Sequence, residues 1–204
     1  MPWFSGALDF LLGLIALWIA WKSARLQNDF LFTGFLWVGV AALVGGFNLA
    51  GYSQVAPTHE FLSRVGRGPG TFAMGLGVFA AVFGGIPGSR WSAPAVAILG
   101  VSLVHLFFDA KSFDVVSLVL GTTLLLSLAT MTVEGFRRGR ARAAVASLVS
   151  LILLLCVAFV LPQLSLPTEG LIRRVDVFHV VLMASYSFLW IGVREMQIEN
   201  SDDV

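Results

Sequence analysis

His105 and Asp109 stand four residues apart, and Asp176 and His179 stand three apart, each pair inside or at the mouth of a long apolar run. On a helix such spacings place both side chains on one face. A carboxylate beside an imidazole fixes its tautomer and raises its basicity, or adds an oxygen to a metal shell that the imidazole begins. The chemistry open to these pairs is therefore proton transfer or ligation of a metal or cofactor. Asp9, Asn48, His59 and Asp114 are further polar candidates at the same level of the molecule. For every one of these residues the plain alternative is a hydrated helix end or a cap on a neighbouring helix.

The elements that must hold them are membrane helices. Apolar residues make up 57% of the 204 and charged residues 12%, about half the charge of a soluble domain. Stretches near 5–22, 31–52, 70–86, 93–109, 114–133, 143–162 and 177–193 are each of bilayer-crossing length. The expected fold is all-α, a polytopic transmembrane helix bundle of seven spans, with six as the fallback. Residues 1–194 form the bundle and 195–204 a frayed, acidic, cytoplasmic tail. His59 falls in the loop after the second span. Met1-Pro2-Trp3-Phe4 carries no positive charge and Asp9 interrupts the run behind it, so the first stretch reads as a retained anchor rather than a signal peptide. Cys156, the one cysteine, sits mid-span and reads as packing.

Lys and Arg near span ends set orientation, because cytoplasmic flanks collect them. With the amino terminus outside, eight fall on inner flanks, led by the Arg137, Arg138, Arg140 and Arg142 cluster, against five on outer flanks. This places the carboxyl terminus in the cytoplasm and all three histidines at the outer face. A bacterial inner membrane is the expected location. Small residues supply the packing, since apolar helices gain no hydrophobic drive from one another in lipid. Ala73, Gly77, Ala81 and Gly85 line one face of the third span, and Ala42, Gly46 and Ala50 one face of the second, so these two spans are expected to pack closely.

The segment Arg174-Val175-Asp176-Val177-Phe178-His179-Val180-Val181-Leu182-Met183 resembles the Asp-x-x-His entry to the seventh helix in bacterial relatives of the alkaline ceramidase and progestin/adipoQ-receptor superfamily. Gly45-Gly46-Phe47-Asn48 stands where that family places a polar ligand. The resemblance implies seven helices, zinc held by His105, His179 and Asp176, and hydrolysis of a lipid amide or ester with Asp109 or Asp176 as the catalytic carboxylate. The chain departs from the pattern at Met183, where the family has a second histidine, and at Asn48, where it has serine or histidine. A degenerate hydrolase acting on membrane lipids is thus one reading. A second is a non-enzymatic subunit or assembly factor of a larger membrane complex, and a third is a haem protein with two histidines as axial ligands. Nucleic acid is excluded as a partner by a net charge of +1. Retinal is disfavoured because the only lysines, Lys22 and Lys111, lie outside the seventh span.

Overall fold

A computed structural model describes residues 2–84, 100, 104, 110–165 and 173–202. The described residues are helical, without a strand among them. In chain order they form α1 (Pro2–Arg25), α2 (Asp29–Leu49), α3 (Ala56–Val65), α4 (Thr71–Phe83), α5 (Ala110–Arg137), α6 (Ala141–Leu155) and α7 (Arg174–Asp202). Five of the helical stretches are long and apolar enough to cross a membrane. They correspond to the first, second, fifth, sixth and seventh predicted spans. The fourth predicted span, 93–109, lies almost wholly outside the described residues, and with it His105 and Asp109.

The third span differs from the expectation in an informative way. α3, a wide π turn over Gly66–Gly70 and α4 follow one another without a break, and Gly66, Gly70 and Thr71 all hold right-handed helical backbone. Pro69 has no N–H to give, and the Thr71 amide reaches back to the Gly66 carbonyl, so the turn widens rather than ending the helix. The run from Ala56 to Phe83 is about 40 Å long at 1.5 Å per residue, ample for a 30 Å hydrocarbon core. His59 therefore stands on a helix, not in a loop. Gly84 closes the run in left-handed backbone, at φ 82°.

Close backbone approach sets the helix directions. A Cβ on Gly34 would lie 2.6 Å from the Gly70 carbonyl oxygen, and one on Gly77 would lie 2.7 Å from the Leu31 nitrogen, so α2 and α4 run antiparallel in near-contact. The expected packing of the second and third spans is thus present, with Ala73, Gly77 and Ala81 buried. On α2, however, the residues that meet α4 are Leu31 and Gly34, while Gly46 turns toward α1 and Phe10. α1 lies antiparallel to α2, Gly6 backing onto Gly46 and Gly13 onto Gly39. At the hinge between them Asn28 accepts a hydrogen bond from the Leu31 amide at 3.1 Å and donates to the Gly77 carbonyl at 2.9 Å. One side chain caps α2 and ties it to α4.

Around the bundle α1 packs on α2, α2 on α4, α4 on α5, α5 on α6, α6 on α7, and α7 back on α1. The ring encloses a core that includes Ile19, Phe35, Met74, Leu128, Leu189 and Met196, with Phe35 and Tyr186 meeting edge to face at 5.2 Å. Hydrogen bonds cross between helices: Thr132 with Ser147 at 2.9 Å, and Ser150 with Ser185 at 3.1 Å. Each such bond contributes about 0.6 kcal/mol within a bilayer. Outward faces of α5 and α6 expose Leu118, Leu126, Val133, Ile152 and Phe159; a surface of this kind suits lipid and not water. α7 continues to Asp202 without a break at 194, and Met196 is buried, its carbonyl accepting a bond from Arg140 at 2.7 Å. Residues 195–202 thus prolong the seventh helix instead of fraying from it.

Candidate active site

α1 and α7 lie side by side and run the same way, which brings their first turns together. Asp176 occupies the third position of α7 and reaches back to accept the Arg173 amide at 2.7 Å, as a capping carboxylate does. Its other oxygen accepts the Ser5 hydroxyl of α1. The Arg173 guanidinium also donates to the Ser5 oxygen. One turn deeper, Asp9 on α1 meets His179 on α7, with 2.9 Å between Oδ1 and Nε2. The two helices are joined by a two-rung ladder, Ser5 with Asp176 and Asp9 with His179, the lower rung nearly closed off at side-chain exposures of 6% and 9%.

An ionised carboxylate only accepts, so the Asp9 contact puts the His179 proton on Nε2. Nδ1 is then the lone-pair nitrogen. It is buried and has no hydrogen-bond partner among the described residues. An imidazole oriented by a carboxylate on one side, with an unengaged lone pair on the other, has the chemistry to take a proton or ligate a metal once a ligand is admitted to it.

A second histidine borders the space beside this carboxylate. His59 Nδ1 lies 3.2 Å from the Ala41 carbonyl oxygen and 3.3 Å from Ser63 Oγ. A Cβ built on Gly45 would fall 2.6 Å from His59 Cε1 and 2.7 Å from Asp9 Oδ2. The ring edge and the second carboxylate oxygen thus share the space that Gly45 leaves by having no side chain.

The expected residues separate into three groups. Asp9, His59, Asp176 and His179 gather at one end of the bundle, with His179 partnered by Asp9 from another helix rather than by Asp176 from its own. Asn48 is half-buried nearby at the end of α2, and Asp114 is exposed and paired with Arg67 at 2.8 Å, apart from the cluster. His105 and Asp109 lie outside the described residues. Ser5, Arg173 and Gly45 were not anticipated. The four-residue step from Ser5 to Asp9, matched to the three-residue step from Asp176 to His179, is the sequence signal that points to the ladder.

The residues of the zinc reading fit only in part. Among the described residues no three His, Cys, Asp or Glu side chains gather as a metal-binding group. Asp176, one expected ligand, has its oxygens engaged by Ser5 and by the Arg173 amide. Haem ligation through Nε2 of His179 would compete with Asp9, which holds that nitrogen at 2.9 Å.

The fold and the cluster together define a helical bundle with five helices long and apolar enough to cross a membrane and a buried carboxylate–histidine pair at one end. A sequence profile described as a family of unknown function (DUF6962) matches residues 4–198, and the chain belongs to that family. No curated protein and no solved structure matches the chain.

Proposed function

We propose that the chain is a seven-span membrane protein, amino terminus outside and carboxyl terminus inside, whose Asp9–His179 pair is the base of a hydrolytic site for lipid amide or ester bonds. The observation that carries this reading is the enclosed, unpartnered Nδ1 of His179 on a ring oriented by Asp9. α4 ends at the opposite end of the bundle from the start of α1 and α5 starts at the same end as α1, and the sequence between them carries an apolar stretch, 93–109, of bilayer-crossing length, which supports an odd number of spans. In the reaction, Nδ1 takes a proton from water, and the water oxygen bonds to the acyl carbon. The carbon–nitrogen or carbon–oxygen bond then breaks as the proton passes to the leaving amine or alcohol. Asp9 stabilises the imidazolium that forms in between. Arg173, at the mouth, offers positive charge to the polar head of a substrate arriving from the bilayer.

The resemblance to the ceramidase and adipoQ-receptor superfamily implies zinc, which would polarise the acyl oxygen and lower the pKa of a bound water. His179 Nδ1 is the donor available to it among the described residues. The test is turnover of fluorescent lipid amides and esters by purified protein in nanodiscs, beside element analysis of the wild type and a His105→Ala, His179→Ala double variant. Turnover that falls about 10²- to 10⁴-fold in His179→Gln supports the reading. Absence of turnover across the panel, in folded protein with any bound metal retained, contradicts it. The protein would then be sought as a subunit of a larger membrane complex.

A further inference from the structure

The carboxylate of Asp9 has two oxygens, and only Oδ1 is used by His179. Oδ2 faces the gap over Gly45, and the edge of the His59 ring faces the same gap from α3. We propose that His59 is a positioning residue of this site, its imidazole seated on the free oxygen of Asp9 so that one carboxylate is held between two histidines. The inference rests on the reading of His179 as the base.

Three features support the assignment. First, Gly45 is buried on α2 at the meeting of α1 and α3, and any side chain there would have to displace the ring or the carboxylate: 2.6 and 2.7 Å are distances that a real Cβ does not tolerate. The absent side chain is what lets Asp9 and His59 approach. Second, half a turn of the His59 ring about Cβ–Cγ exchanges Cε1 with Nε2. The ring then presents a nitrogen to Oδ2 in place of a carbon, giving up the Ala41 carbonyl for a charge-assisted bond. Third, the continuous run of α3 into α4 fixes the position of His59 along the bundle, since the same helix is pinned to α2 at Gly70 and Gly77.

Among the described residues, the titratable group that shares the gap over Gly45 with His59 is Asp9 from α1. Glu60, the next residue on α3, is exposed and ion-paired with Arg64 at 2.7 Å. From α2 His59 meets the Ala41 carbonyl and Gly45, neither of which titrates. Facing His179 are Asp9 from α1 and, a turn above, Asp176 with Arg173. A carboxylate held at both oxygens is fixed in plane, and its grip on Nε2 of His179 is fixed with it.

The experiment is nitrogen-15 NMR of the full chain in nanodiscs with labelled histidine, which needs no substrate. Three rings report, and His105, assigned by His105→Gln, serves as the reference. Asp9→Asn is expected to move the ring-nitrogen signals of both His59 and His179, and Gly45→Ala to move both again by wedging a methyl between ring and carboxylate. His59→Gln is expected to move His179 and, in the lipid assay, to lower kcat about tenfold with KM nearly unchanged. If Asp9→Asn moves His179 but leaves His59 where it was, the positioning role is overturned while the base reading stands. If Asp9→Asn leaves His179 unmoved, the base reading itself falls. A kcat for His59→Gln equal to that of the wild type also overturns the positioning role.

Discussion

An ionised Asp9 accepts hydrogen bonds and gives none, and that asymmetry sets which nitrogen of His179 carries the proton that faces it. With Nε2–H committed to the carboxylate, the nitrogen that keeps its lone pair is Nδ1, buried inside the bundle. Asp9→Ala would leave a buried N–H without its acceptor, a loss of about 1–3 kcal/mol. The melting temperature in detergent should fall accordingly, and an unchanged value would mean that water or another group replaces Asp9. Asp176 belongs to a different task, because its oxygens serve the first turn of α7 and Ser5. Asp176→Ala should lower stability by a similar amount, yet in protein kept folded at low temperature it should retain lipid turnover within about tenfold, whereas a loss as deep as that of His179→Gln would return Asp176 to the chemistry. This division of labour was only half legible in the residue pattern. Spacing along one helix suggested Asp176 for His179, but a partner on a second helix, 170 positions away, depends on which helices become neighbours.

At the scale of elements, the bilayer-length apolar runs announced themselves because lipid requires about 20 such residues in a row. α3 did not. Glu60 and, just past the helix in the π turn, Arg67 are exposed, while Phe61, Leu62 and Arg64 are half-buried and Val65 buried, so charged and apolar residues mix along the run and no long apolar window forms. Pro57 in the first turn and Pro69 within the π turn reinforced a loop reading, although each is accommodated where it sits. Small residues foretold contact between α2 and α4 correctly, but not which face of α2 would make it. That contact gives a prediction: Gly34→Val places a branched side chain where even a Cβ meets the Gly70 carbonyl oxygen at 2.6 Å. Loss of the monodisperse peak in detergent size exclusion is expected, as for overpacked cores, and a fully folded Gly34→Val would show that α2 and α4 can separate freely. Asn28→Ala should cost about 1–2 kcal/mol through the lost cap and the severed link to Gly77, read as a lower melting temperature.

For the whole molecule, the parallel pairing of α1 with α7 has a topological consequence. Both helices begin at the end that holds the His and Asp cluster, and α7 finishes at the other, where Arg25, Arg137, Arg138 and Arg140 collect. There Lys22 and Arg25 lie over the face of Trp21, at 4.9 and 4.0 Å, an arrangement suited to a headgroup boundary. Cysteines introduced at Ser53 and Ser201 in a Cys156→Ser background should label from opposite faces of sealed vesicles. Labelling from one face would break both the orientation and the odd number of crossings.

The central claim is that Asp9 and His179 act as one unit in hydrolysis, and the most direct measurement is lipid turnover by Asp9→Asn, His179→Gln and the double variant. A unit predicts strong non-additivity: each single change lowers kcat about 10²- to 10⁴-fold, and the double variant is no slower than the worse single one. Losses that multiply, or a single variant as active as the wild type, would contradict the account.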